Sequence, residues 1–303
     1  MDLPDVRALQ IRSAFAKPIR WTLVGRTISE GKARAAVRPW TFHPWHFLSS
    51  RIATVLINIW RLVPNPIRIR AYHGLAFLGE RWYGPSNGNV QRLPFGLYVK
   101  GSRALWHQSL VSEYGALELV RRHTLITVPR PLDLVSDSER SNLLVSRVPD
   151  VHVGLCINLL SDDQADTLVR DLQDCVGELR AIRREAAQEH MITNAIGRAC
   201  YDHWINMALN YGKDRGDFVG PFTDEDEFNK TPQCGALPGL SHRGGHRIFF
   251  THSDVNIRNI MVHNGRLSGI VDWENSGWYP EYWEYTKAQF VTRFDRRWLR
   301  IVD

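Results

Sequence analysis

Four polar residues stand out in the stretch FFTHSDVNIRNIMVHNGRLSGIVDWE, residues 249–274: His252, Asp254, Asn259 and Asp272. Arg247 to Thr251 reads as a short apolar strand that delivers His252 and Asp254 at its end. NIMV and LSGIV are β-prone runs around Asn264-Gly265, the pair that best suits a two-residue hairpin turn. With the turn centred there, Asn259 falls opposite Ile270, and Asp272 leaves the second strand two residues later. The hairpin would therefore bring a carboxylate and an amide oxygen into one neighbourhood. Such hard oxygen donors suit Mg2+, which keeps its other positions for water and phosphate. Asp254, on the loop before Asn259, would be placed to take or orient the proton of an attacking hydroxyl. A solvated hairpin with ordinary polar edges would account for the same residues, so the rest of the chain has to decide.

Phosphoryl transfer also takes a lysine on the α- and β-phosphates and a glutamate to hold it. Lys100 ends FGLYVK, the second run of a strand-turn-strand pattern: Val90 to Leu93, a break at Pro94, then Leu97 to Lys100. The next segment, HQSLVSEYGALELVRRH, reads as a helix with Leu110, Glu113, Leu117 and Val120 on one stripe. An unpaired Glu113 on that apolar stripe would be costly, and pairing it with Lys100 removes the cost. Each signal alone is common by chance. In the order Lys, Glu, His-x-Asp, Asn, Asp they favour the metal-assisted chemistry over the bare hairpin.

The elements around these residues fall into three regions: a helical extension over 1–75, a small lobe over 76–150 and a larger lobe over 151–303. In the first, Phe47, Ile52, Val55, Leu56, Ile59 and Leu62 recur at helical spacing, and Pro64 and Pro66 end that helix. A second helical stretch, IRAYHGLAFLGERWYG, follows it. His43 and His46 read as structural, because Pro44 separates them and no carboxylate is close in sequence. The small lobe adds PRPLDLVS and SNLLVSRVP as strands, giving a sheet with one inserted helix. In the larger lobe Ser161 and Gln164 form a capping box, and Leu168, Leu172, Val176, Leu179 and Ile182 make a core stripe. Residues 212–245 are rich in Gly, Pro and acids and read as an extended loop region with one short helix, a candidate substrate-facing segment. Its run Asp224 to Glu227 reads as a solvated acidic loop, or as a lure for a cationic substrate.

Composition narrows the class. With 38 basic and 32 acidic residues the net charge is +6, spread along the chain without an aromatic-rich basic element, which argues against a nucleic-acid partner. Cys156, Cys175, Cys200 and Cys234 form no C-x-x-C pair and read as reduced thiols. IATVLINIWRLV is too short to cross a bilayer, which takes roughly 20 apolar residues. With no signal-peptide pattern at the start, the expectation is a soluble, cytoplasmic protein with no stable membrane insertion and no obligate protein partner.

Taken together, LPFGLYVK, SEYGALELVRRHTLITVPRPLDLV, NLLVSRVPD, DDQADTLVRDLQDCVGELRAI, FTHSDVNIRNIMV and GRLSGIVDWENSGWYPEYWEYTKA resemble the aminoglycoside phosphotransferase and choline kinase group, in particular its fungal members. The resemblance spans roughly residues 70–290. It implies a two-lobed protein-kinase-like α+β fold, with a small antiparallel sheet and one helix in the N-terminal lobe and a larger, mainly helical C-terminal lobe. It also implies ATP between the lobes and a small-molecule hydroxyl as acceptor. Lys100 and Glu113 would anchor the phosphates, Asp254 would be the base with His252 and Asn259 beside it, and Asn259 and Asp272 would hold Mg2+. Ser146 to Val148 would be the hinge against adenine. Ser253 stands where the family usually has glycine, Ile257 where it often has proline, and Ser146 where a glutamate is common; no glycine-rich loop matches the usual pattern. An activation segment closed by an Ala-Pro-Glu-like anchor is missing, which sets the chain apart from protein kinases. The alternative is a kinase-like binding or scaffold protein with weak or no catalysis.

Overall fold

The computed structural model describes residues 55–85, 88–184, 190–202, 218–235 and 244–303, with side chains to 230 in the fourth segment. His43, His46, Phe47, Ile52 and the Cys234 side chain lie outside the described residues, as does most of the 212–245 region's loop.

A helical turn over 55–60 precedes α1 (Asn65–Tyr83). Pro66 opens α1 instead of ending the helix before it, since a proline in the first turn sacrifices an N–H that has no helical acceptor anyway. The stripe expected to pack inward is rotated: Val55, Leu56, Ile59 and Leu62 are exposed, while Ile57 and Trp60 pack on the small-lobe core. The polar anchors explain the rotation. Trp60 Nε1 donates to Tyr72 Oη at 2.7 Å, and Tyr72 Oη in turn donates to Asp133. Arg68 meets both oxygens of the buried Asp133.

The small-lobe sheet runs β1-β2-β4-β3, antiparallel throughout, from β1 (Val90–Leu93), β2 (Leu97–Arg103), β3 (Pro131–Ser136) and β4 (Arg140–Ser146). Helix α2 (His107–His123) lies against it and buries Leu110, Glu113, Leu117 and Val120 as its apolar spacing requires. In the larger lobe α3 (Asp162–Ala181) starts at the Ser161–Gln164 capping box and buries Leu168, Leu172, Val176 and Leu179, with Ile182 just beyond.

The hairpin of β10 (Ile260–His263) and β11 (Arg266–Ile270) turns at Asn264 and Gly265, both at positive φ, and pairs on its other edge with β5 (Val151–His152). Its register departs from the simple expectation. A bulge after Met261 leaves Ser268 as the extra residue on β11, so Ile260 faces Ile270 and Val271 N–H bonds Asn259 O at 3.0 Å. Behind it, β12 (Gly277–Pro280) pairs with β6 (Thr193–Asn194) and β9 (Ile248–Thr251); β7 (Cys200–Tyr201) pairs with β8 (Phe218–Val219). Helices α5 (Trp283–Val291) and α6 (Arg296–Val302) close the lobe around Trp298, which is fully buried. Cys156, Cys175 and Cys200 are free thiols. No helix among the described residues is long and apolar enough to cross a membrane.

The acidic run is not a simple solvated loop. It opens helix α4 (Glu225–Gly235), and Glu225 is buried, accepting the His246 N–H at 2.8 Å and facing His246 Nδ1 at 2.5 Å. Asp224 accepts the Glu227 N–H while Glu227 accepts from Thr223, the reciprocal satisfaction that a helix start calls for.

Candidate active site

The cleft between the lobes is organised around one lysine. Lys100, in the middle of β2, is 94% buried, and its ammonium lies 2.6 Å from Asp272 Oδ1, 2.8 Å from Glu274 Oε2 and 3.0 Å from Glu113 Oε2. The lysine thus joins a small-lobe strand to α2 and, across the cleft, to the segment leaving β11. Burial alone would lower the Lys100 pKa, but Asp272, Glu113 and Glu274 outweigh it and hold it well above the ordinary value. For Glu113 burial wins over Lys100 and pushes the carboxyl up to about 7. Asp272 goes the other way: Lys100 overcomes its burial and lowers it. Asp272 adopts φ 67°, a left-handed conformation rare for a residue with a Cβ, and from there its carboxylate meets Lys100.

The sequence reading missed Glu274. Its signal was an acid two residues beyond Asp272, in WEN, and only folding shows that both carboxylates converge on Lys100.

Asp254 sits on the loop between β9 and β10. Asn259 Nδ2 donates to both Asp254 O and Asp254 Oδ2, at 2.9 and 2.8 Å, and Asn256 Nδ2 donates to Asp254 O at 2.9 Å. Burial raises the Asp254 carboxyl to about 6, with Lys287 pulling against it. His252 is fully buried and touches backbone on both sides: Nε2 donates to Val271 O at 3.1 Å, and Nδ1 accepts the Asp254 N–H at 3.2 Å. That pairing is the pattern of a neutral ring, and burial lowers its pKa to about 4. Both His252 ring nitrogens are therefore engaged by backbone of the loop and of Val271.

This predicts a pH effect on stability. Unfolded, the His252 ring takes a proton near pH 6.5; folded, it resists until about 4. The unfolded state thus binds the extra proton between these values, so the folded state loses stability as pH falls from about 6.5 to 4, by about 3 kcal/mol from this residue. His252→Gln, which keeps a donor for Val271 O, is expected to flatten that part of the stability profile in urea unfolding at stepped pH. An unchanged profile would show that the ring takes up its proton at the same pH in the folded and unfolded chains.

The loop is clamped from behind by α5. Glu284 is buried, and its two oxygens accept the backbone N–H groups of His252 and Ser253 at 2.7 and 3.0 Å; burial still raises its pKa to about 7. Ser253 has φ 66°, a conformation that glycine adopts with least strain, and Trp283 Nε1 donates to its hydroxyl at 2.9 Å. One turn along, Lys287 is buried against Asp202 at 2.9 and 3.0 Å. An acid and a lysine inside the aromatic helix WEYTKA were the available sign that this helix carries polar work.

Ser146 and Val148 lie where β4 leaves the small lobe. Ser146 Oγ accepts the Arg130 N–H at 2.8 Å, and the Arg147 N–H bonds Gly96 O. Val148 is buried against Gly269, where any side chain would meet Val148 and the Thr127 carbonyl at 2.7 Å.

The two lobes, the antiparallel sheet with its single helix and the lysine–carboxylate cluster between them define a protein-kinase-like fold. The chain belongs to the phosphotransferase enzyme family, whose model matches residues 90–302. No curated protein matches it. Among solved structures it is similar to aminoglycoside phosphotransferase APH(3'')-Id from Streptomyces rimosus, in complex with ADP and streptomycin, at 16% identity and TM-score 0.48 over 77% of this chain and 88% of that one. The gentamicin complex of APH(2")-IIa aligns at 13% identity and TM-score 0.49, covering 77% and 80% of the two chains. A thermostable mutant of APH(4)-Ia in its apo form aligns at 14% and 0.48, covering 72% and 74%.

Proposed function

We propose that the chain moves the γ-phosphoryl group of ATP to an alcohol of a small molecule, with Asp254 as base and Mg2+ at Asp272 and Asn259. The observation that carries this reading is the meeting of Lys100 with Asp272 and Glu113 across the cleft, at 2.6 and 3.0 Å, from elements far apart in the chain.

The donor set fits Mg2+. Glu113, Asp272 and Glu274 lie with their oxygens within 4.8 Å of one another around a single ammonium, a negative surplus that a divalent cation offsets. Asn259 spends its amide nitrogen on Asp254, which turns its amide oxygen away from that carboxylate. Asp272 and Asn259 would hold the ion, with Glu274 adjoining; there it would neutralise the β- and γ-phosphate oxygens.

Each protein group then has one task. Glu113 keeps Lys100 aimed into the cleft, and Lys100 binds the α- and β-phosphates. Asn259 fixes the rotamer of Asp254. Asp254 accepts the proton of the acceptor hydroxyl as its oxygen bonds to the γ-phosphorus and the bond to ADP breaks, ADP keeping the electron pair. The products are a phosphate monoester, ADP and a proton.

MgATP is expected to raise the melting temperature of the wild-type chain, and Asp272→Ala to abolish the rise. A wild type that shows no shift at millimolar MgATP would leave a non-catalytic binding protein as the better reading.

A further inference from the structure

The geometry points to an acceptor site: a cavity of about 250 Å3 beside Glu274, between α2 and β7, which takes a neutral single-ring polyol of the sugar or cyclitol class. This rests on the phosphotransferase reading above.

Strand β2 sets the direction. Leu97 pairs with Ser146 at the hinge end, Lys100 lies midway, and Arg103 pairs with Arg140 at the far end, about 20 Å from Leu97 at strand spacing. A nucleotide whose base is at the hinge and whose phosphates are at Lys100 therefore points its γ-phosphate toward residues 101–103. Those residues line the cavity.

Two of the other lining residues, Glu274 and Tyr201, are linked to Asp272 and Asp254 through intervening groups. Glu274 shares Lys100 with Asp272 and accepts from Ser109 Oγ at 3.2 Å. Tyr201 precedes Asp202, which holds Lys287, the ammonium that acts on Asp254.

The lining names the ligand class. Trp106 and Tyr201 form an edge-to-face aromatic wall, centroids 5.6 Å apart at 87°, which suits the C–H face of a saturated ring. Ser102, Ser109, Arg103 and Glu274 offer donors and acceptors of both signs, which suits hydroxyl groups better than a net charge. The volume lies below the roughly 300–1,000 Å3 of pockets that enclose drug-sized ligands, which matches a single ring better than several. Trp106 comes from the small lobe and Tyr201 from the large one, so an occupied cavity also ties the lobes together.

The test is MgATP-dependent ADP release by the full chain with inositol, glucose and streptomycin as acceptors. A single-ring polyol is expected to raise the rate at least tenfold over buffer, and streptomycin to leave it unchanged. Trp106→Ala is expected to raise the acceptor KM at least tenfold with the Kd for MgATP within about twofold, and Trp106→Phe to recover most of it. Streptomycin used as well as the polyols, or an acceptor KM untouched by both Trp106→Ala and Tyr201→Ala, would overturn the assignment. Saturation-transfer NMR of inositol and glucose on the ATP-free chain separates the two readings. A polyol signal that is present in wild type and vanishes in Trp106→Ala upholds the cavity even if MgATP does not bind, and no signal in wild type rejects it.

Discussion

Asp254→Asn is expected to lower kcat by about 10²–10⁴-fold while keeping the MgATP thermal shift. The substitution preserves shape: Asn259 Nδ2 still finds an oxygen on the side chain, and the Asp254 backbone oxygen still accepts from Asn256 and Asn259. What disappears is a group able to take the hydroxyl proton. The wild-type pH profile should carry the same signature. Burial raises Asp254 to about 6, and a base works only when ionised, so kcat/KM should fall on the acid side of about pH 6, approaching tenfold per unit. Asp254→Asn should lose that limb. A variant keeping more than a tenth of the wild-type kcat would remove Asp254 from the chemistry.

The second large effect belongs to Lys100→Met. Methionine fills much the same space but leaves Glu113, Asp272 and Glu274 facing one another within 4.8 Å with no cation between them. Glu113 suffers most, because it is 95% buried. Breaking a buried ion pair from one side typically costs about 3–5 kcal/mol, so the variant should unfold at clearly lower urea concentration at pH 8. Part of the loss should return near pH 5.5, where the carboxylates can share protons and the repulsion fades. MgATP should no longer raise the melting temperature, because the phosphates lose their lysine. A variant as stable as wild type at pH 8 would mean that the cluster relaxes into solvent and that the cleft is not the closed site drawn above.

Much of this was legible in the residues. Local rules were enough for α3, whose capping box and five-residue stripe are both realised. They were enough for the hairpin turn, because Asn264-Gly265 leaves the backbone few alternatives. Glu113 on an apolar stripe announced its partner, because a buried carboxylate needs a cation and the preceding strand, which runs on to Arg103, carries Lys100.

Other features depended on contacts between distant segments. The bulge at Ser268 moves Asn259 from Ile270 to Val271, and no turn rule predicts it, since a bulge is settled by packing on both faces of the hairpin. The stripe over 55–62 rotates because Trp60, Tyr72, Arg68 and Asp133 form a hydrogen-bonded chain between α1 and β3, which periodicity does not register. Glu225 turns inward for His246, twenty-one positions away.

The sequence by itself determined which charged groups the protein possesses and which local elements carry them, because capping, turn and periodicity energies act over a few residues. Only the tertiary structure decided that three carboxylates share one lysine, that Glu284 clamps the Asp254 loop and that Trp106 meets Tyr201. Those choices depend on burial and Coulombic terms between elements up to 174 positions apart, as in Lys100 and Glu274, and such terms exist only once the two lobes have closed on each other.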